Sequence, residues 1–149
     1  MVHLFKIIKK PAGWIMIAII LIVVITGIIL LSAQNDPSTL DGFTAALNRQ
    51  LGNVIDVTKQ EYQKAEGSVN ERQRMLRVDT ENIFVELADD QTLAKIVDDR
   101  LDRITSPFID WIGPVHLHVK DNLIVMYVGK NEKILDALVK LLGAELPHI

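Results

Sequence analysis

His116 and His118, one residue apart, are the first side chains whose type and spacing suggest chemistry. In a strand they share one face with Lys120, and paired imidazoles can ligate a transition metal. The strand that holds them carries no cysteine or carboxylate, and the Lys120 ammonium repels a cation. The pair therefore reads first as the wet outer face of a hairpin and second as a metal-binding domain. Asp89 with Asp90, and Asp98 with Asp99 and Asp102, are rich enough in oxygen for calcium but lack the loop of alternating ligands and turn glycine that calcium sites use. A helix cap and a solvated helix face account for them. Gly129-Lys130 lacks the upstream glycine of a phosphate loop, no Gly-x-Ser-x-Gly occurs, and Ser32, Ser38, Ser68 and Ser106 have no histidine or aspartate at an informative spacing. No catalytic residue, metal or cofactor is assigned, and the expectation is a protein that is not an enzyme.

A different feature points to binding. Phe108, Ile109, Trp111 and Ile112 crowd into a short stretch between Pro107 and Pro114. Either they fold beneath the neighbouring hairpin as core, or they stand exposed as a contact patch with Trp111 as its hot spot. These four are the candidate partner-binding residues.

The elements that would position them follow from periodicity. Residues 12–33 carry no charge, and as a helix they would be about 33 Å long, enough for a hydrocarbon core of about 30 Å. They read as an uncleaved transmembrane signal anchor, since cleavage after Ala33 would place Leu31 where a small residue is needed. A prepilin-like leader cut after Gly13 is the alternative, although Ala18 stands where pilins carry glutamate. Lys6, Lys9 and Lys10 precede the span and place residues 1–11 in the cytoplasm, with the C-terminal part extracytoplasmic. The expected location is thus the inner cell membrane, single-pass, and the expected partners are the membrane and other membrane or envelope proteins.

After the break at Asp36-Pro37, Leu40, Phe43, Leu47, Leu51, Val54, Thr58, Tyr62 and Ala65 recur at helical spacing and predict one long stalk, weakened by Gly52 and Gly67. The stalk either packs within one protomer or pairs with other copies in a homo-oligomer. Residues 75–78 and 83–87 read as a hairpin or as continued helix. A helix carrying Leu93, Ile96, Val97, Leu101 and Ile104 starts at a cap from Asp89 or Asp90 and stops before Pro107, with Asp99 and Arg103 four apart on its wet face. Residues 115–119 and 123–128 predict a hairpin. Asn131 opens a last helix that Gly143 closes, and the final AELPHI adds a short strand. The expected organisation is 1–11 basic N-terminus, 12–33 transmembrane helix, 34–74 linker and stalk, and 75–149 α/β domain. The expected fold class is α+β, with the last unit ordered αββα(β).

That order, with DDQTLAKIVDDRL at its start and VHLHVKDNLIVMYVGKNEKILDALVKLLGAE at its end, resembles a BON domain over residues 89–149. It is also similar to the ring-building modules of sporulation and secretion assemblies. In BON domains a glycine usually sits at the hairpin turn, where this chain has Asn122. Neither resemblance carries a catalytic residue. Both imply attachment or assembly, so the expected function is a non-enzymatic scaffold or adaptor within a membrane-associated assembly, or else an accessory subunit of a larger membrane enzyme.

Charge narrows the partner class. Residues 1–35 hold three lysines and no acid, whereas residues 36–149 hold 13 basic and 19 acidic side chains, a net of 13 - 19 = -6. An acidic domain with interleaved signs lacks the basic stripe that neutralises phosphates, which excludes nucleic acid. The chain has no cysteine, which removes disulfides and thiolate chemistry.

Overall fold

The computed structural model describes residues 19–22, 36–64 and 70–147. Two compact units divide the chain, residues 1–34 and 35–149. In the first, residues 19–22 form a helical turn whose Ile19, Ile20, Leu21 and Ile22 are exposed. The expected transmembrane helix, and with it the single-pass inner-membrane location, is corrected here: among the described residues no helix is long and apolar enough to cross a membrane. The remainder of that expected span, 12–18 and 23–33, lies outside the described residues.

The second unit is a five-stranded antiparallel sheet with helices on both faces. Its elements are α1 (Leu40–Leu51), β1 (Val54–Asp56), α2 (Thr58–Lys64), β2 (Gln73–Val78), β3 (Glu81–Leu87), α3 (Leu93–Thr105), β4 (Val115–Lys120), β5 (Leu123–Val128) and α4 (Glu132–Leu142). The strands lie in the order β1-β2-β3-β5-β4, every neighbouring pair antiparallel. The fold class is α+β, but the expected stalk is not a stalk. Gly52 takes φ +81°, a left-handed backbone that favours glycine, and its N–H caps α1 by donating to the Asn48 carbonyl at 2.8 Å. The chain then turns into β1, so of the residues that suggested one stalk, Leu40 to Tyr62 belong to three elements, and Ala65 lies outside the described residues. Phe43 and Leu47 have no exposed surface and pack within the protomer.

Period-two alternation sorts the sheet's side chains onto two faces. On the first, Leu76, Val78, Ile83, Val85, Leu123, Val125 and Tyr127 pack with Phe43 and Leu47 of α1 and Ile134, Ala137 and Leu138 of α4. Each such large side chain, closed from water, contributes about 1.5–3 kcal/mol. On the second face α3 lays Leu93, Ile96, Val97, Leu101 and Ile104 against Leu117, Ile124, Val119 and Met126. No residue of α3 is fully buried.

Capping departs from expectation in detail. Thr92 is the N-cap of α3 and makes no side-chain cap bond; Asp89 instead accepts from the Thr92 backbone N–H at 3.0 Å and hydroxyl at 2.6 Å. Asp99 is bound by Lys95 at 2.7 Å, one turn before it, rather than by Arg103. Asn131 caps α4 by accepting from the Lys133 N–H at 3.1 Å. Residues 144–147 of the expected last strand form none: the Leu146 N–H donates to the Leu117 carbonyl at 2.7 Å, and Leu146 packs on the second face, while residues 148 and 149 lie outside the described residues.

Candidate functional site

The loop from Ser106 to Pro114 is tied at both ends and open between them. Ser106 ends α3, and its carbonyl and hydroxyl accept from the N–H groups of Ile109 and Phe108, each at 3.3 Å. At the far end the Gly129 N–H donates to the Pro114 carbonyl at 2.9 Å. Pro107 and Pro114 supply no N–H of their own, so the loop cannot extend the sheet beside it. Between these ties the apolar side chains point outward. Phe108 is 94% exposed, Ile109 39% and Ile112 100%. Trp111 is half-buried, and its indole N–H is enclosed with no hydrogen-bond partner. Of the two sequence readings of this loop, the structure places three of the four residues in solvent.

Trp111 and Ile112 form one wall of a cleft of about 480 Å³ on the second face, floored by Met75, Phe84, Met126 and Val128 and bounded by Glu81, Asn82 and Asp110. Cross-strand register brings the floor together: Met75 stands opposite Phe84, and Phe84 opposite Met126. The Arg100 guanidinium lies 5.0 Å from the Phe84 ring centre and is held by Glu86 at 2.9 Å, so one edge of the floor is set by α3. Such a cation over an aromatic face adds about 0.5–1 kcal/mol at an exposed site.

Tyr127 fixes the cleft from beneath. Its hydroxyl donates to Glu81 at 3.0 Å and accepts from the Asn131 N–H at 3.0 Å, linking β5, the first residue of β3 and the N-cap of α4. Burial raises the Tyr127 pKa above its ordinary value, so the phenol stays protonated and keeps donating to Glu81. A β-carbon at Gly129 would lie 2.2 Å from this hydroxyl, which is why the residue that anchors the loop is glycine.

The histidines stand elsewhere. His116 and His118 are not on a wet outer face: they share the first face with Val125 and Tyr127 and reach the C-terminal segment. His116 contacts the Glu145 carboxylate at 2.6 Å and the Gly129 carbonyl at 3.2 Å, and stacks on Tyr127 at 5.9 Å between ring centres. His118 is fully buried, with Nδ1 at 3.1 Å from the Gly143 carbonyl and Nε2 unpartnered. Lys120 donates to the Leu141 carbonyl at 2.9 Å. The two imidazoles are bonded to different groups, and among the described residues no three histidine, cysteine, aspartate or glutamate groups could hold a metal ion. A metal domain on His116 and His118 gains no support.

Met75, Phe84, Met126 and Tyr127 were not among the residues singled out from sequence. The available signal was that Ile83, Phe84 and Val85 are apolar in succession, as are Leu123 to Val128, which marks strands with apolar side chains on both faces. No protein family, curated protein or solved structure matches the chain.

Proposed function

We propose that residues 36–147 are a non-enzymatic protein-binding module that joins an assembly through the 107–112 loop and the cleft beside it. The observation that carries this reading is the exposure of Phe108 and Ile112, 94% and 100%, beside a sheet face whose helix buries none of its residues completely. Apolar side chains gathered at one place on a surface mark contact sites, and a tryptophan at the edge of such a patch is the usual energetic centre. The methionine floor suits this role, because an unbranched thioether adapts to the shape laid on it. The order α3-β4-β5-α4 keeps the succession for which residues 89–149 resemble a BON domain, and attachment, the role that resemblance implies, agrees with a docking surface.

The test uses the full-length chain, tagged and recovered from its native source, beside Phe108→Ala, Trp111→Ala and the double variant. Loss of a co-purifying protein, at about 2 kcal/mol or more for Trp111, with the thermal melt of Phe108→Ala unchanged, is expected. Full retention by a folded double variant removes this reading. A fall in the protein's own mass in solution would identify the partner as a second copy.

A further inference from the structure

Strand β4 has one neighbour, β5, so its other side is an edge of the sheet. Two bonds show which backbone groups face outward there. The Pro114 carbonyl accepts from the Gly129 N–H on the β5 side, and the Leu117 carbonyl accepts from the Leu146 N–H on the other. Along an antiparallel strand the direction alternates from residue to residue. The backbones of His116, His118 and Lys120 therefore bond to β5, while Val115, Leu117 and Val119 turn their N–H and C=O groups to the edge. Of these outward groups, among the described residues, the Leu117 carbonyl alone has a backbone partner.

What covers this edge is the chain's own residues 143–147, which cross it from the first face to the second. On the first face the Gly143 carbonyl lies 3.1 Å from His118 Nδ1, and the Glu145 carboxylate 2.6 Å from His116 Nδ1. The next residue, Leu146, packs on the second face in the cluster of Leu117 and Ile124. Glu145 and Leu146 thus make one step of an added strand, with an acid toward the imidazoles and an aliphatic side chain toward the apolar face. They do not continue it. Pro147 has no N–H, and one backbone bond holds this strap where a paired strand would use the groups of all three outward residues.

We propose that the outer edge of β4 is a second docking surface, separate from the 107–112 loop, which adds an extended partner segment of alternating acidic and apolar residues in place of residues 143–147. Strand addition takes its affinity from main-chain hydrogen bonds and its specificity from alternate side chains. On the first face the partner's acids would meet the row of His116, His118 and Lys120. Lys120 donates to the Leu141 carbonyl at 2.9 Å and makes no ion pair among the described residues, Asp36 feeling its charge only from a distance. On the second face the partner's apolar residues would replace Leu146 beside Leu117. Bulk charge is not the source of this preference, because residues 36–149 carry a net 13 - 19 = -6 and repel an acidic segment at long range.

The probe is a labelled synthetic peptide of alternating glutamate and valine, titrated with the full-length protein by fluorescence polarisation. Its companions carry serine or lysine for every glutamate, or N-methyl groups on the glutamate amides or on the valine amides. E145Q with L146A, which weakens the strap, is expected to bind the glutamate peptide at least tenfold more tightly than the unaltered chain does. On that variant serine for glutamate should cost at least tenfold, and lysine more. One of the two methylated peptides should lose binding, since an added strand turns only alternate amides to its neighbour. Val119→Pro removes an outward N–H at an edge position, where proline is tolerated, and should abolish binding with the urea midpoint retained; if it unfolds, the methylated peptides decide. Phe108→Ala and Trp111→Ala should leave peptide binding as it was, so native retention and peptide binding test the two surfaces apart. Equal affinity for the unaltered chain and the strap variant, or binding indifferent to both methylations, would overturn the proposal, as would loss of binding in the loop variants. Self-association of the strap variant without peptide binding would give the edge to a second copy and overturn it as well.

Discussion

On the first face of the sheet Phe43, Leu47, Ile134 and Leu138 have no exposed surface, whereas on the second none of the residues of α3 is fully buried. The strands between are the same strands, and their side chains are comparably apolar on both sides. What differs is the cover. Two helices, α1 and α4, close the first face, while α3 meets the second with a half-buried stripe and leaves Met75, Phe84 and Met126 at the floor of an open cleft. On the first face His116, His118 and Lys120 reach partners at the end of α4 or in the segment after it, and each face keeps one buried nitrogen without a partner, His118 Nε2 on the first and the Trp111 indole N–H on the second. One face thus holds the fold, and the other is left unfinished in a way that an incoming chain could complete.

Truncation should separate the faces most strongly. Leu138→Ala, in the closed core, is expected to cost about 2–5 kcal/mol, and Leu101→Ala, on half-buried α3, clearly less, both read from urea unfolding of the full-length protein. Equal losses would mean that the second face contributes as much to stability as the first. Ending the chain after Gly143 comes next. It removes the Leu146 bond to the β4 edge and the Glu145 partner of His116, at an expected cost of about 1–2 kcal/mol. It also bares an edge strand, so sedimentation should show more self-association than for the intact chain. A truncated protein that stays as stable and as dispersed as the parent would show that the segment guards nothing.

The legible parts of this fold were those where one local rule acted alone. The hairpin of residues 115–128 follows from period two, and α4 from helical spacing between Asn131 and Gly143. The long stalk failed because Gly52 and the three residues of β1 interrupt a pattern that happens to continue in phase on either side. The histidines failed for a subtler reason. Alternation in Val115-His116-Leu117-His118-Val119 tells which residues share a face but not which face is wet, and here helices lie on both. The loop at 107–112 was legible as composition, its exposure was not, and the cleft floor depends on register between β2, β3 and β5 that no single strand encodes.

The pH response should belong to the closed face. Burial holds the His118 pKa below its ordinary 6.5; the Gly143 hydrogen bond and the Glu145 charge partly offset this, and the His116 ring adds to the lowering. The unfolded chain therefore takes up this proton at higher pH than the folded one. Stability from the neutral ring is complete above about 6.5 and is lost as pH falls through the folded value. The melting temperature is expected to drop between pH 7 and pH 5 and to drop less in His118→Gln. Asp36, Asp89 and Asp99, whose carboxyls are lowered from 3.8 mainly by hydrogen bonds from Ser38, Thr92 and Lys95, act only in more acid solution. A melting temperature that is flat from pH 7 to pH 5 would show that the buried ring is not the sensor.

The smallest stability effect is expected at Phe108, and that smallness is what makes it informative. A ring with 94% of its surface in water has little burial to lose, so Phe108→Ser should shift stability by no more than about 0.5 kcal/mol. On the proposed docking role, the ring's apolar surface acts on a partner rather than on its own fold. The substitution should therefore weaken partner retention while the urea midpoint stays in place, and Trp111→Ala should do the same with a somewhat larger loss of stability because its ring is half-covered. If Phe108→Ser instead lowers the midpoint by several kcal/mol, the ring is packed in solution, the loop belongs to the core, and the second face is closed by its own residues rather than by a partner.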